Sequence, residues 1–266
     1  MKKLIFQGVI MVLFFLGTWF FLSQINWIKV FMLEEASDKT EQELGKLFLE
    51  VFVQSETEIQ NPEVEELLDR MVSEICRANQ IDKERIKVHV IEKDEINAFA
   101  LPDGHLIIYT GLILNSGNQE ELAGVICHEI AHIQLNHVMK KLVKEIGLSV
   151  LISMSTGGTG AEVTRQAAKT LSSSTFDRSL EKDADLKAID YLVNAKVNPK
   201  PFADFLYKLS YDENEGIPNL TWLETHPDSK ERAKYILENS EGRLSDFKPL
   251  VSNQDWEKLK DLLKKN

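Results

Sequence analysis

The sequence predicts an α+β protein that is mostly helical, with a small antiparallel sheet beside one central helix and one N-terminal transmembrane helix. Apolar residues recur at helical spacing in most segments of the 266-residue chain. Two short runs, residues 86–90 and 105–110, instead alternate between apolar and polar positions as strands do. A third run, residues 4–22, contains no charged residue. These three patterns define the fold class.

Residues 1–30 are expected to form a membrane anchor. The uncharged run 4–22 is long enough to span about 30 Å of hydrocarbon as a helix. A cleaved signal peptide is the alternative, but the residues after the run offer no small-x-small cleavage site. Lys2 and Lys3 precede the run, so the positive-inside rule places the rest of the chain on the extracytoplasmic (periplasmic or extracellular) side of the membrane.

The remaining chain divides into three predicted parts. Residues 31–60 carry apolar side chains at helical spacing and predict a helical linker. The main domain is expected to span residues 61–240, beginning with a helix that has Pro62 in its first turn. Residues 241–266 form a C-terminal tail that ends in an amphipathic helix, which we expect to pack on the domain.

The composition of the chain limits its partners. The net charge of −11 at pH 7 disfavours nucleic-acid binding by bulk electrostatics. The two cysteines, Cys76 and Cys127, allow one disulfide bond, and the sequence does not decide whether it forms. The oligomeric state is left open.

The two alternating runs are expected to pair as an antiparallel sheet. Asp103 and Gly104 give a hairpin signal between them. An edge strand of such a sheet can bind the main chain of an extended peptide. The strand residues His89 and His105 are not expected to bind a metal ion. The residues of the connecting segment that we predict to bind substrate are Asn97, Ala98 and Phe99.

The central helix carries the motif His128-Glu129-Ile130-Ala131-His132. Residues four apart share one helical face, so both imidazoles can bind one metal ion while Glu129 reaches its open side. A zinc ion lowers the pKa of a bound water molecule, which Glu129 can deprotonate as a general base. A purely structural histidine pair is the alternative, but burying these polar groups without a metal ion would be costly.

The central helix is expected to begin at an N-cap residue, Asn118, and to run to Ile146, just before Gly147. His137 would then lie on the face opposite His128, so we do not expect it to be a ligand. The following residues, 148–160, are apolar and then Gly-rich; a mobile loop, a flap over a cleft and a shallow membrane contact all remain open.

A third ligand is available at the start of a later helix, where Glu181 and Asp185 share one face. Glu181 can complete a site of two histidines and one carboxylate. Asp185 can orient a ligating imidazole by accepting its other ring N–H. Acidic residues in a first helical turn otherwise only complement the helix dipole, but the pairing with the histidine motif favours metal binding.

Five motifs, in this order, resemble the HtpX heat-shock protease and CAAX prenyl endopeptidase family of zinc metallopeptidases. The resemblance covers roughly residues 60–240 and implies a zincin-like metallopeptidase domain. It implies one zinc ion bound by His128, His132 and Glu181, with Glu129 as general base. The motifs are Asn97-Ala98-Phe99-Ala100, Thr110-Gly111-Leu112, His128-Glu129-Ile130-Ala131-His132, Arg178-x-x-Glu181-x-x-Ala184-Asp185 and His226-Pro227-x-x-x-x-Arg232.

The same resemblance implies that His226 and Arg232 face the substrate and act in catalysis, and that Asp185 supports the ligands. Without the resemblance, His226 is equally well an ordinary loop residue. Because the chain has one long apolar segment rather than several, it resembles the single-anchor envelope branch, which degrades unfolded or misassembled proteins. The alternative functions are a metal-containing chaperone or assembly factor with little proteolytic turnover, and a metal-dependent hydrolase of non-peptide substrates.

Overall fold

The computed structural model describes residues 2–24, 34–214, 221–243 and 246–264. The chain divides into two compact units, residues 1–40 and residues 41–266. The far end of the predicted anchor, the first residues of the predicted linker, part of the loop before His226 and the last two residues of the tail lie outside the described residues.

The first unit contains helix α1 (Lys2–Gln24) and the beginning of α2 (Glu34–Ser55). Large apolar side chains of α1 are exposed, among them Met11 and Phe14. In the described ranges, no helix combines the length and the hydropathy that crossing a membrane requires. The predicted anchor therefore contains a helix, but a transmembrane span is not confirmed.

The second unit is built around one central helix, α5, which packs against an edge strand of a small sheet and against two long helices, α9 and α10. The helices that follow α2 are α3 (Pro62–Ala78), α4 (Thr110–Asn115), α5 (Gln119–Gln134), α6 (His137–Glu145), α7 (Leu148–Ser155), α8 (Ala161–Ser173), α9 (Arg178–Asn194), α10 (Lys200–Asn214), α11 (Thr221–Thr225), α12 (Ser229–Ser240) and α13 (Asn253–Lys264).

The sheet has three strands, β1 (Lys87–Ile91), β2 (Ala98–Ala100) and β3 (His105–Tyr109), in the order β1-β3-β2. β2 and β3 are antiparallel and are joined by the predicted Asp-Gly turn, whereas β1 and β3 are parallel. The prediction that the two long runs pair antiparallel is therefore wrong. The chain reverses twice between them, because β2 intervenes, so β1 and β3 run in the same direction.

The central helix begins as predicted, with the Asn118 side chain accepting a hydrogen bond of 2.9 Å from the N–H of Glu121. Its predicted end is wrong. The helix stops at Gln134, and Asn136 adopts a left-handed conformation with φ 55° before α6 begins at His137. Asparagine is one of the few residues that tolerates this conformation, so a helix break is compatible with the sequence.

Both ends of the second unit are packed onto its body. The α2 residues Leu44 and Phe48 are fully buried, and α13 packs against α3. The side chain of Gln119 exchanges two hydrogen bonds of 2.9 Å with the backbone of Val251 and so fastens the segment before α13. This unit includes part of the predicted linker as well as the tail, and the domain boundaries at residues 60 and 240 stay sequence predictions.

The two cysteines are buried and unbonded, so the disulfide bond that the sequence leaves open is not formed. Burial raises the pKa of the Cys76 thiol to about 11 and that of Cys127 well above its ordinary value. Both side chains therefore behave as small apolar core residues.

Gly124 sets how closely α5 approaches α10, because a Cβ atom at this position would lie 2.3 Å from the Cβ of Phe202. We expect Gly124→Ala to force the two helices apart and to lower the free energy of unfolding by about 1–3 kcal/mol. Thermal unfolding followed by circular dichroism measures the effect.

The matched control is Gly160→Ala, since nothing lies within 4 Å of a Cβ atom at that position. Its melting temperature should stay near that of the wild type. Equal melting temperatures for Gly124→Ala and the control would show that the helix contact adapts without cost.

Candidate metal centre

Four buried side chains converge beside α5. His128 and His132 lie on α5, Glu181 lies in the first turn of α9, and His226 follows α11. One ligand atom from each of these residues lies within 4.8 Å of the others. The three histidines have no exposed surface, and Glu181 is 2% exposed. This donor set is compatible with a transition-metal ion.

The spacing of three donors fits tetrahedral zinc. The Nε2 atoms of His128 and His132 lie 2.9 Å apart. The Glu181 carboxylate lies 3.3 Å from Nε2 of His132 and 3.6 Å from Nε2 of His128. Zinc bonds of about 2.0–2.1 Å at tetrahedral angles separate donor atoms by roughly 3.3 Å. The residues present therefore fit a zinc ion.

Asp185 determines which nitrogen of His128 faces the donor set. Its Oδ1 lies 2.8 Å from Nδ1 of His128. Burial opposes ionisation of Asp185, but the charge of Arg232 and the hydrogen bond with His128 outweigh it and lower the pKa of the carboxyl to about 2. The carboxylate accepts the Nδ1 proton, so the lone pair on Nε2 points toward the other donors.

His132 is oriented by His137, whose Nδ1 lies 3.1 Å from Nδ1 of His132. The expectation that His137 lies on the opposite helical face is wrong, because the helix breaks at Asn136 and α6 turns back toward the site. Burial lowers the pKa of His132 to about 4 and that of His137 to about 3, so both rings are neutral near pH 7. A neutral His137 ring can accept the Nδ1 proton of His132.

Glu129 lies next to the donors with one free oxygen. Its Oε1 accepts a hydrogen bond of 3.2 Å from Nε1 of Trp222, and the buried Oε2 has no partner among the described residues. Burial raises the pKa of Glu129 to about 7. A carboxylate with this pKa and an unoccupied oxygen is suited to accepting and releasing a proton near neutral pH.

His226 lies among the metal donors, in contrast to the expectation that it faces a substrate. Its Nδ1 is 2.9 Å from Oε1 of Glu181 and 3.2 Å from Nε2 of His128. Its ring is stacked between Trp222 and Phe176 at centroid distances of 4.7 and 5.5 Å. Burial lowers the pKa of His226 to about 3, so the ring is neutral near pH 7 and is available as a fourth donor.

Arg232 is directed toward the site carboxylates. Its Nε and Nη2 donate to the two oxygens of Asp185 at 2.7 and 2.8 Å, and its Nη1 lies 2.7 Å from Oε2 of Glu181. Burial works to raise the pKa of Glu181, but His226 and Arg232 hold it well below its ordinary value. Arg232 is placed to position the two carboxylates. Because its side chain is only 2% exposed, the substrate contact that the resemblance implies has no support in this geometry.

The residues predicted to bind substrate lie on and beside β2, next to α5. The ring of Phe99 is buried against Phe52 and Tyr109, so it packs in the core. The carbonyl of Asn97 accepts a hydrogen bond from β3, while the buried Oδ1 of its side chain has no partner among the described residues. Antiparallel alternation directs the backbone groups of Ala98 away from β3, toward the other edge of β2, where Ala98 is fully buried.

Sequence patterns excluded one residue that contacts the site, His137, and did not point to three others. His137 and Phe176 contact His132, Trp222 contacts Glu129, and Tyr235 hydrogen-bonds to Asp185. Asn136 was the available signal for a helix break, and a break at that position places His137 on a new helix that can approach the site. The other three are aromatic residues at ordinary core positions, and no spacing rule distinguishes them from packing residues.

The central helix with its His-Glu-x-x-His motif, the carboxylate from a second helix and the unpaired glutamate oxygen define a metal-dependent hydrolase. The family comparison makes the class specific: residues 58–240 match the model of peptidase family M48, and the chain belongs to that family.

Several curated proteins are similar to the chain. Mitochondrial metalloendopeptidase OMA1 of Bos taurus is 29% identical over 163 residues, which cover 56% of this chain and 31% of that protein. The beta-barrel assembly-enhancing protease of Escherichia coli K12 is 28% identical over 197 residues, which cover 68% of this chain and 39% of that protein. Metalloprotease LoiP of the same organism is 29% identical over 164 residues, which cover 59% of this chain and 64% of that protein. The chain thus spans less than two thirds of each relative.

His137 should contribute to metal affinity without being a ligand. We expect His137→Ala to weaken zinc binding about 10- to 100-fold, because His132 loses the group that orients its ring. Competition with a chromophoric chelator measures the dissociation constant.

His89→Ala is the matched histidine control, since His89 pairs with Glu58 and His105 outside the donor set. It should leave zinc affinity unchanged. An unchanged affinity in His137→Ala would remove the assigned role of the His137–His132 contact.

Proposed function

We propose that the chain is a zinc-dependent endopeptidase that hydrolyses peptide bonds in unfolded or misassembled proteins. The observation that supports this most strongly is the convergence of His128, His132 and Glu181 beside the unpaired Oε2 of Glu129. Membership of peptidase family M48 supports the same reaction class.

Each site residue has a separate part in the proposed reaction. His128, His132 and Glu181 would hold the ion, which when bound lowers the pKa of a water molecule and polarises the scissile carbonyl. Oε2 of Glu129 takes the proton from the attacking water and passes it to the leaving amine. Trp222 holds the other oxygen of Glu129 and so keeps Oε2 in place.

The edge of β2 that does not pair with β3 is the proposed binding surface for the substrate backbone. Ala98 has no exposed surface, so a peptide binds there only after the covering segment moves away. β2 packs against α5, the helix that carries the proposed metal ligands, and only one of its edges pairs with another strand, β3. An extended peptide that adds to this edge through the backbone of Ala98 would run beside the donor set. Recognition through backbone groups is independent of sequence and suits unfolded proteins as substrates.

A place at the cell envelope is part of the proposal. The uncharged run 4–22 would anchor the chain in the membrane, with the catalytic unit on the extracytoplasmic side. Two of the similar proteins are named as a beta-barrel assembly-enhancing protease and as LoiP. Both names describe proteases, and the first refers to beta-barrel assembly, which supports a role in envelope protein assembly. The single anchor rests on the uncharged run alone.

The alternative is a metal-containing chaperone or assembly factor. The position of His226 favours it specifically, because a fourth protein donor is typical of closed, structural metal sites. A hydrolase instead needs one open position for water. The endopeptidase and the chaperone therefore differ in whether the metal-bound chain cleaves a protein substrate.

Glu129→Gln separates the two functions. In the proposed endopeptidase, this variant should retain one zinc ion per chain and lose at least about 100-fold in the rate of cleavage of an unfolded protein, because the general base is gone. Gel analysis of casein digestion and metal analysis of the same sample measure both quantities.

Glu145→Gln is a suitable control, since Glu145 is an exposed residue at the end of α6. Its cleavage rate should equal that of the wild type. If Glu129→Gln cleaves casein as fast as the wild type, the endopeptidase mechanism is wrong. If Glu129→Gln prevents aggregation of an unfolded protein as well as the wild type does, a chaperone function is favoured.

The proposed anchor predicts where the chain fractionates. The full-length chain should sediment with membranes, and Leu13→Arg combined with Phe14→Arg should release it, because each arginine at the bilayer centre costs about 2.5–3.5 kcal/mol. Immunoblotting of membrane and soluble fractions measures the distribution.

Leu237→Arg, on an exposed position of α12, is the control and should leave the distribution unchanged. Recovery of the wild-type chain in the soluble fraction would contradict the anchor.

A further inference from the structure

Lys141 of α6 is a buried cation with an unusual set of partners. It is 4% exposed, and its Nζ donates to the backbone carbonyls of Leu171, at 3.0 Å, and Ser174. The same Nζ lies 4.0 Å from the ring centroid of Phe176. Within the described ranges no carboxylate forms an ion pair with Lys141. Burying an ammonium group without a counter-charge is costly, so the carbonyls and the ring have to replace its water shell.

The two carbonyls belong to the C-terminal end of α8. Leu171 lies in its last turn and Ser174 is its C-cap residue. Carbonyl groups at a helix C-terminus lack helical partners and carry partial negative charge, which an ammonium group complements. Lys141 therefore fixes the point at which the chain leaves α8.

Phe176 transmits this contact to a metal ligand. One face of its ring is stacked on His132, with the centroids 4.0 Å apart and the planes at 30°. Its N–H donates to the carbonyl of Thr225, the residue before His226, at 3.1 Å. The ring therefore contacts both the ammonium of Lys141 and the imidazole of His132.

The same segment leads directly into the third donor. Asp177 is the N-cap residue of α9, and its carbonyl accepts the N–H of Glu181 at 3.0 Å. A second lysine of the same helix, Lys144, reaches Asp177 at 2.6 Å, but both of these side chains are exposed. Segment 174–177 is therefore bound to α6 at one buried point and one exposed point.

We propose that Lys141 is a positioning residue for the metal centre, which acts through Phe176 on His132 and through segment 174–177 on Glu181. This inference rests on the proposed zinc site, but it does not depend on peptide cleavage. His128 is oriented by Asp185, and Lys141 together with His137 provides the corresponding support for His132.

The test compares three variants of the full-length chain. Lys141→Met keeps an unbranched side chain, one atom shorter, but removes the charge and the donors. Lys141→Arg restores both, and Lys144→Met removes the exposed contact from the same helix. Two readouts need no catalysis: the zinc dissociation constant from chelator competition, and the visible absorption spectrum of the Co²⁺-loaded protein, which reports ligand geometry. The melting temperature of the metal-free protein measures any purely structural effect.

We expect Lys141→Met to weaken zinc binding about 10- to 100-fold and to change the Co²⁺ spectrum. Lys141→Arg should recover most of the affinity, and Lys144→Met should resemble the wild type. In the cleavage assay, kcat should fall in Lys141→Met with little change in KM. A lower melting temperature with unchanged zinc affinity and an unchanged spectrum would overturn the inference, because Lys141 would then only stabilise the fold.

A double-mutant cycle tests the route through the ring. Phe176→Leu alone should weaken zinc binding, and adding Lys141→Met should cost little more, because the two residues act on His132 as one unit. Additive losses would overturn the route through Phe176. A wild-type chain that binds zinc and cleaves nothing would contradict the proposed endopeptidase, while the affinity comparison would still decide the role of Lys141.

Discussion

One buried ion network joins the packing of the helices to the geometry of the site. Arg232 of α12 binds both oxygens of Asp185 and one oxygen of Glu181, and Asp185 in turn binds His128 of α5. Charges without exposure to water are tolerated only when they are paired and hydrogen-bonded. Three helices therefore have to meet in one arrangement, and that arrangement brings the carboxylate of α9 to the imidazoles of α5.

The two imidazoles are held in place by different means. His128 is fixed by a charged partner, Asp185, deep in the ion network. His132 is fixed by neutral and aromatic partners, with His137 at its ring edge and Phe176 on its face. The contact with His137 exists because the chain turns at Asn136, so this helix break brings a second histidine to the ring of His132.

The surroundings of Glu129 suit proton transfer. Burial lowers the pKa of the neighbouring rings of His132 and His226 and raises that of Glu129, so neutral groups surround a carboxylate that can exchange a proton near pH 7. Trp222 connects this carboxylate to the sheet, because its side chain binds Glu129 and its N–H binds the carbonyl of Ile96, just before β2. The proposed peptide-binding edge and the proposed base are thus linked by one residue.

Local rules in the sequence determined the helical character of the chain, the N-cap of the central helix, and the metal-binding motif, because residues four apart on a helix share a face wherever the helix lies. They also indicated Glu181 and Asp185, whose spacing repeats that rule. Only the tertiary structure decided the strand directions and the positions of His137, His226, Arg232 and Lys141. These depend on a double chain reversal, on a single left-handed residue and on contacts between distant segments, and none of these leaves a periodic signal in the sequence.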